Sequence, residues 1–242
     1  MAPIDQALAY TSYVMVGTAC KREVALTFDD GPGPYTGRIL GVLRRTHIPA
    51  TFFVIGEWAR RYPGLVRAEA NDGFEVGDHT DTHPFMSLLS PDAQRAQIIN
   101  AGDAIQKAGA PFPHLWRPPY GAFNAATLQI LRSLGMLMVL WTVDTSDYAR
   151  PGVSRIVYTA VSGARPGAII LMHDGGGDRA ETVAALPRMI AALRRHGYRL
   201  VTISQLLADN PPPRDQPPPQ PLSGGDSARG PRVPPQGPVG AR

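Results

Sequence analysis

The sequence predicts an α/β protein built on a parallel sheet, open or closed into a barrel, and three observations carry that expectation. Short apolar runs alternate with amphipathic stretches about seven times along the chain. Polar residues able to do chemistry stand directly after five of the runs, the end at which a parallel barrel gathers its catalytic groups. With 242 residues, 43% of them hydrophobic, the chain suffices for one sizeable core or at most two small domains.

Taken in order, residues 1–22 show no clear period and read as a lead-in that packs on the first strand. That strand, 24–28, is an apolar run stopped by Gly31-Pro32-Gly33-Pro34. A helix follows over 36–46, then a strand at 51–55, a helix at 63–71 and a strand at 74–76. The alternation continues with helix 91–108, strand 115–117, helix 124–133, strand 137–142, helix 152–164 and the strongly apolar strand 168–172. A long helix over 179–196 ends at His196-Gly197, where glycine supplies the left-handed residue of a helix stop. Strand 199–202 and a short helix, 203–208, close the folded part. From Pro211 proline, glycine, arginine and small polar residues take over. Such a segment buries too little apolar surface to offset its ordering entropy, so 211–242 is expected to be a disordered tail or stiff spacer. The expected organisation is a lead-in (1–22), one folded domain (23–210) and the Pro-rich tail (211–242).

Composition excludes several classes. A single cysteine, Cys20, rules out an internal disulfide framework and a cysteine-based zinc site. The net charge of +4 suits an anionic partner or environment, but no basic run interleaved with aromatics points to nucleic acid. No apolar stretch approaches the ~18–20 residues of a membrane span. The start lacks the basic n-region of a signal peptide. Val14-Met15-Val16-Gly17-Thr18-Ala19-Cys20 ends like a lipoprotein cleavage site, but no basic residue and no long apolar run precede it.

The chemistry concentrates at strand ends. Asp29 and Asp30 close the first strand, and two adjacent carboxylates repel and desolvate badly unless a cation or a shared proton relieves them. Alternation along a strand need not point both the same way, so one can bind a metal while the other works beside it. His79 and His83 are four apart and meet on one face if the backbone turns helically there. With Asp30 they make a three-ligand site that leaves a position open for water; Asp81 between them is either a partner of that site or solvated. Arg117-Pro118-Pro119-Tyr120-Gly121 fixes Arg117 to pair with a carboxylate and the Tyr120 amide to face a developing oxyanion. His173 ends strand 168–172 before a glycine loop, and a carboxylate from the 141–148 stretch would hold its ring and raise its pKa. His47, His114 and His196 have no such company and are given no role.

Thr27-Phe28-Asp29-Asp30-Gly31, His79-Thr80-Asp81-Thr82-His83, Arg117-Pro118-Pro119-Tyr120-Gly121, Asp144-Thr145-Ser146-Asp147-Tyr148 and Leu171-Met172-His173 resemble, in order, the five motifs of the polysaccharide deacetylases, the NodB-homology domain of carbohydrate esterase family 4. The resemblance covers about 21–210. It implies a distorted (β/α)7 TIM-like barrel, a single domain, that holds one divalent metal ion, usually zinc, with cobalt or another divalent ion as alternatives. The implied reaction removes N-acetyl groups from N-acetylglucosamine-containing polysaccharide, peptidoglycan or chitin-like oligomers, by a metal-activated water. By the same match Asp29 is the general base, Asp30, His79 and His83 the metal ligands, and Arg117 the residue that orients the base. His173 is the general acid and Asp147 the carboxylate that tunes it. Tyr120 supplies the oxyanion donor and Leu171 a wall for the acetyl methyl. Tyr148 stands where the family usually has Trp, which bears on substrate preference more than on chemistry. An O-acetyl polysaccharide esterase, such as one acting on acetylxylan, and a non-catalytic glycan-binding module are the alternatives. The second is weakened because no motif residue is missing. The implied partner is an acetylated glycan polymer, with no nucleic acid and no transmembrane segment; the chain is expected to be a monomer. A glycan substrate places it outside the membrane or at the cell wall, although no export signal is visible.

Overall fold

The computed structural model describes residues 2–216. The lead-in is not featureless: it forms a short helix, α1 (Pro3–Leu8), and a two-residue strand, β1 (Tyr13–Val14). Then come β2 (Glu23–Gly31), α2 (Thr36–Thr46), β3 (Thr51–Val54), α3 (Gly56–Arg61), α4 (Pro63–Asn71) and β4 (Glu75–Asp78). The middle of the chain gives α5 (Pro91–Ala108), β5 (Leu115–Trp116), α6 (Ala125–Ser133), β6 (Leu137–Val139) and β7 (Val143–Asp144). It finishes with α7 (Val153–Gly163), β8 (Ala168–His173), α8 (Ala180–Arg195), β9 (Arg199–Val201) and α9 (Ile203–Asp209). Among the described residues no helix is long and apolar enough to cross a membrane.

The strands form one curled sheet in the order β1-β6-β5-β4-β3-β2-β8-β7, with β9 beside the first residues of β2. Every paired strand runs parallel. This is the parallel sheet expected from the alternation, curled as the distorted barrel implied by the resemblance. The expected strand over 137–142 divides in two because the chain changes partner there. Leu140 N–H still bonds to Val14, whereas Thr142 N–H bonds to Ile169 in β8. The lead-in does not pack on β2 as expected. Tyr13 and Val14 pair with β6, and Val16 bridges to Ala168 in β8. It thereby spans from one limb of the curl to the other.

The sheet separates two cores. Strand alternation sends Val24, Leu26 and Phe28 of β2 outward into a core shared with Leu40 and Leu43 of α2 and Met189 and Leu193 of α8. Ala25 faces inward and joins Phe53, Leu115, Ile169 and Leu171 in the second core. Thr27 and Asp29 continue the inward row toward the C-terminal rim, where the polar groups collect. Helices are held by local signals: Asn124 and Thr127 form a capping box on α6, and Gly109 closes α5 in the left-handed conformation.

The folded unit reaches slightly past the expected boundary at 210. Tyr10 Oη donates to the Pro212 carbonyl at 2.9 Å, Gln216 Nε2 donates to the Tyr13 carbonyl at 2.8 Å, and the Arg214 guanidinium covers the Tyr10 ring at 4.3 Å. Of the tail expected over 211–242, residues 217–242 lie outside the described residues.

Candidate active site

The site begins where β2 breaks its own alternation. The pairing of β2 with β3 shifts register between Asp29 and Gly31, and Asp30 adopts φ +70°. A regular strand would send adjacent side chains to opposite faces. The bulge turns Asp30 back, so both carboxylates approach one imidazole: Asp29 Oδ2 lies 3.8 Å and Asp30 Oδ1 3.5 Å from His79 Nε2. The backbone behind Asp30 is tight. A Cβ on Gly175 would lie 1.9 Å from the Asp30 carbonyl oxygen, and one on Gly176 2.5 Å from Asp30 Oδ2.

The two histidines come together without the helical turn that their spacing suggested. Residues 79–85 are irregular, and Thr80 and His83 both take positive φ. Asp78 Oδ1 accepts the Thr80 N–H at 2.6 Å, and Gln97 Oε1 accepts the N–H groups of Asp81 and Thr82 at 2.9 Å each. The rings end 5.0 Å apart. Asp81 is neither a partner of the histidines nor free in solvent, since it pairs with Arg60 of α3 at 2.7 Å. His79 Nδ1 donates to the Arg117 carbonyl at 2.8 Å, which leaves its Nε2 with a lone pair.

Arg117, at the end of β5, is fully buried. Its guanidinium donates to Asp29 Oδ1 and to Thr27 Oγ1, both at 2.8 Å, and to the carbonyls of Val139 and Leu140 at 3.1 and 3.2 Å. Burial lowers the Arg117 pKa and the Asp29 charge opposes that shift. Thr27 was readable as a participant, because it lies two residues before Asp29 on the same strand face. Tyr120 occupies a tight turn over Pro119–Gly121 at φ +57°. Its ring stacks on Phe85 at 4.1 Å and meets the His83 ring edgewise at 4.6 Å.

On the side of β2 away from β3, β8 is in register with it, Thr27 beside Leu171 and Asp29 beside His173, so all four side chains share the inner face. His173 Nδ1 donates to Asp147 Oδ1 at 2.7 Å. Asp147 Oδ2 accepts the His173 N–H at 2.9 Å and the Thr182 hydroxyl at 2.6 Å. Thr182 sits in α8, far along the chain, and nothing in its sequence neighbourhood marked it. The Tyr148 ring stands edge-on to His173 at 5.3 Å and is 44% exposed, so it lines the mouth rather than the interior. Leu171 is buried just below.

Charge follows geometry. Burial alone would lower the His173 pKa, but the Asp147 carboxylate, with Asp30 and Asp29 beyond it, raises it to about 9. Burial opposes ionisation of Asp147, and His173 overcomes it and holds the carboxyl below its ordinary value. Asp30 behaves likewise: burial opposes its ionisation, and the neighbouring imidazoles of His79, His83 and His173 overcome it and hold the carboxyl well below the carboxylate range.

Asp30, His79 and His83 offer one carboxylate oxygen and two ring nitrogens, all within 4.8 Å of one another. Asp30 Oδ1 is buried without a hydrogen-bond partner, 3.1 Å from His83 Nε2. Two imidazoles and one carboxylate, with the rest of the shell open, suit a zinc-like divalent ion. The arrangement therefore sets a cation cradle beside an arginine-oriented carboxylate and a carboxylate-bound imidazole, the groups that hydrolysis of an acyl bond requires.

Comparison with known proteins agrees with this geometry. Residues 16–139 match the family described as polysaccharide deacetylase. The chain is 42% identical over 187 residues to a peptidoglycan-N-acetylglucosamine deacetylase of Bacillus cereus, covering 76% of this chain and 87% of that protein. It is 41% identical over 198 residues to a chitooligosaccharide deacetylase of a Bradyrhizobium species, covering 76% of this chain and 90% of that one. A solved structure of the Bc1960 peptidoglycan N-acetylglucosamine deacetylase, in complex with 4-naphthalen-1-yl-N-oxidanyl-benzamide, superposes with a TM-score of 0.79 at 33% identity. It covers 84% of this chain and 95% of that one.

Proposed function

The chain belongs to the polysaccharide deacetylase family, and on that premise we propose that it hydrolyses the N-acetyl group of N-acetylglucosamine units in a glycan, peptidoglycan or a chitin-like oligomer. The observation that carries the reading is the gathering of the Asp29–Arg117 and Asp147–His173 pairs beside one cluster of Asp30, His79 and His83.

Asp30, His79 and His83 would hold one divalent cation, zinc by the donor set, which when bound supplies Lewis acidity to an acetyl carbonyl and to a water. Asp29 takes the proton of the attacking water, its lone pair aimed by the Arg117 guanidinium. As the new C–O bond forms, negative charge grows on the former carbonyl oxygen, and the N–H of Tyr120, in the tight turn over Pro119–Gly121, would be its donor. His173, with Nδ1 committed to Asp147, presents Nε2–H to the sugar nitrogen. Protonation there lets the C–N bond break, and the products are acetate and the glucosamine unit. Leu171 bounds the space for the acetyl methyl, and Tyr148 and Tyr120 flank the sugar. We further infer a monomer that works on glycan outside the cytoplasmic membrane.

Acetate release from N-acetylglucosamine oligomers, measured beside acetylated xylan and with and without chelator, tests the reading. Release from the oligomers that chelation stops supports it. Release from xylan alone replaces it with an O-acetyl esterase, and release from neither with a glycan-binding module.

A further inference from the structure

Asp174, the residue after His173, has no part in the reaction just described, yet it is 1% exposed and sits behind both adjacent carboxylates. Its N–H bonds to the Asp29 carbonyl at 3.0 Å. Its Oδ2 accepts the hydroxyl of Thr36, the first residue of α2, and that hydroxyl in turn accepts the Gly33 N–H at 2.7 Å. The carboxyl also presses on Gly31, where a Cβ would lie 2.1 Å from Asp174 Oδ2. Thus one buried side chain ties the end of β8 to residues 31–36, the stretch that leaves the Asp30 bulge. Asp30 needs such support, since a non-glycine residue at φ +70° is held there by its surroundings and not by its own preference. Asp174 Oδ1 and both Glu69 oxygens in α4 are buried without hydrogen-bond partners, so the carboxyl is retained at a cost in desolvation.

From these contacts we infer that Asp174 is a positioning residue, which through Thr36 and Gly31 holds Asp30 in the left-handed conformation that aims it at the cation. The inference rests on the metal-binding role proposed for Asp30, His79 and His83. It assigns Asp174 no contact with substrate. Residues that orient a ligand from behind commonly matter 10–100-fold in metal affinity.

Zinc affinity, measured by competition with a chromophoric chelator on the full chain, tests it without recourse to activity. Wild type should bind one zinc, and His79→Ala should not. Should wild type bind none, the metal reading itself fails. Given wild-type binding, Asp174→Ala should weaken it by roughly 10-fold or more. Asp174→Asn, which keeps an oxygen for the Thr36 hydroxyl at nearly the same volume, should stay within about 3-fold of wild type, well inside that loss. Equal affinity in Asp174→Ala and wild type overturns the inference. So does an Asn variant as weak as the Ala variant, because charge alone would then be at work. If Asp174→Ala does not fold, Thr36→Val against Thr36→Ser decides. Loss with Val and retention with Ser support the clamp, and equal affinities refute it.

Discussion

His173 is the residue on which the surroundings act most strongly in the direction of function. Its pKa of about 9 lies above the ordinary 6.5, so the folded protein binds that proton more tightly than the unfolded chain does. The resulting stabilisation is complete below about pH 6.5 and is lost as pH rises toward 9. Asp147→Asn removes the principal negative partner. In the metal-free protein it should lower the His173 titration midpoint, read by NMR, and shrink the pH dependence of stability in that window. A divalent ion beside Asp30 offsets part of the same negative field, so the metal-loaded midpoint should lie below the metal-free one. For the chemistry, Asp29→Asn should cost roughly 10²–10⁴-fold in rate with metal retained, the usual worth of a positioned base. His173→Ala should lose more on an amide than on an activated aryl acetate, whose leaving group needs no proton. Equal losses on both substrates would remove His173 from the acid role. At this scale the residue types were legible and their poses were not. The paired carboxylates and spaced histidines stand in the sequence. The bulge that brings Asp30 round to Asp29, and the irregular turn that replaces a helical one between His79 and His83, arise from pairing with β3 and from Gln97.

Among the elements, the longer helices and the central strands were readable because each supplies enough residues for its period to repeat. Helix α2 spans Thr36–Thr46 and α5 spans Pro91–Ala108, as the pattern indicates. Strands β1 and β7, of two residues each, and helix α3, of six, are too short for any period and exist through their partners. The same reason hid the clasp between the two ends of the described chain. Composition alone predicts that nothing after Asn210 matters, yet Thr18, Tyr10 and Tyr13 bond to Pro211, Pro212 and Gln216. Truncation after Asn210 should therefore lower the melting temperature by about 4–8 °C. Partly exposed hydrogen bonds give on the order of 2 kcal/mol together, and each 1 kcal/mol moves a domain of this size by ~2–4 °C. Truncation after Gln216 should leave it unchanged. Calorimetry on the two truncations decides, and equal melting points would mean that the clasp contributes nothing.

For the whole molecule, the parallel curl explains why groups from five separate stretches meet. Each follows a strand, all paired strands run the same way, and so their C-terminal ends share one rim. That much followed from the alternation before any contact was known. What did not follow was how the curl is completed, because pairing of Tyr13 and Val14 with β6 is a long-range match with no local signature. The fold also fixes the division of labour, with an outer core against the helices and an inner core whose C-terminal rim carries the polar groups of the site. As proposed, this rim is a metal-dependent N-deacetylase site. The most direct measurement is acetate release from N-acetylglucosamine oligomers by protein stripped with chelator and then titrated with zinc, beside His79→Ala and His83→Ala. Stripped protein should release no acetate, recovery should be complete near one equivalent of zinc, and neither variant should recover. Release that survives stripping, or that persists undiminished in both histidine variants, would contradict the proposal.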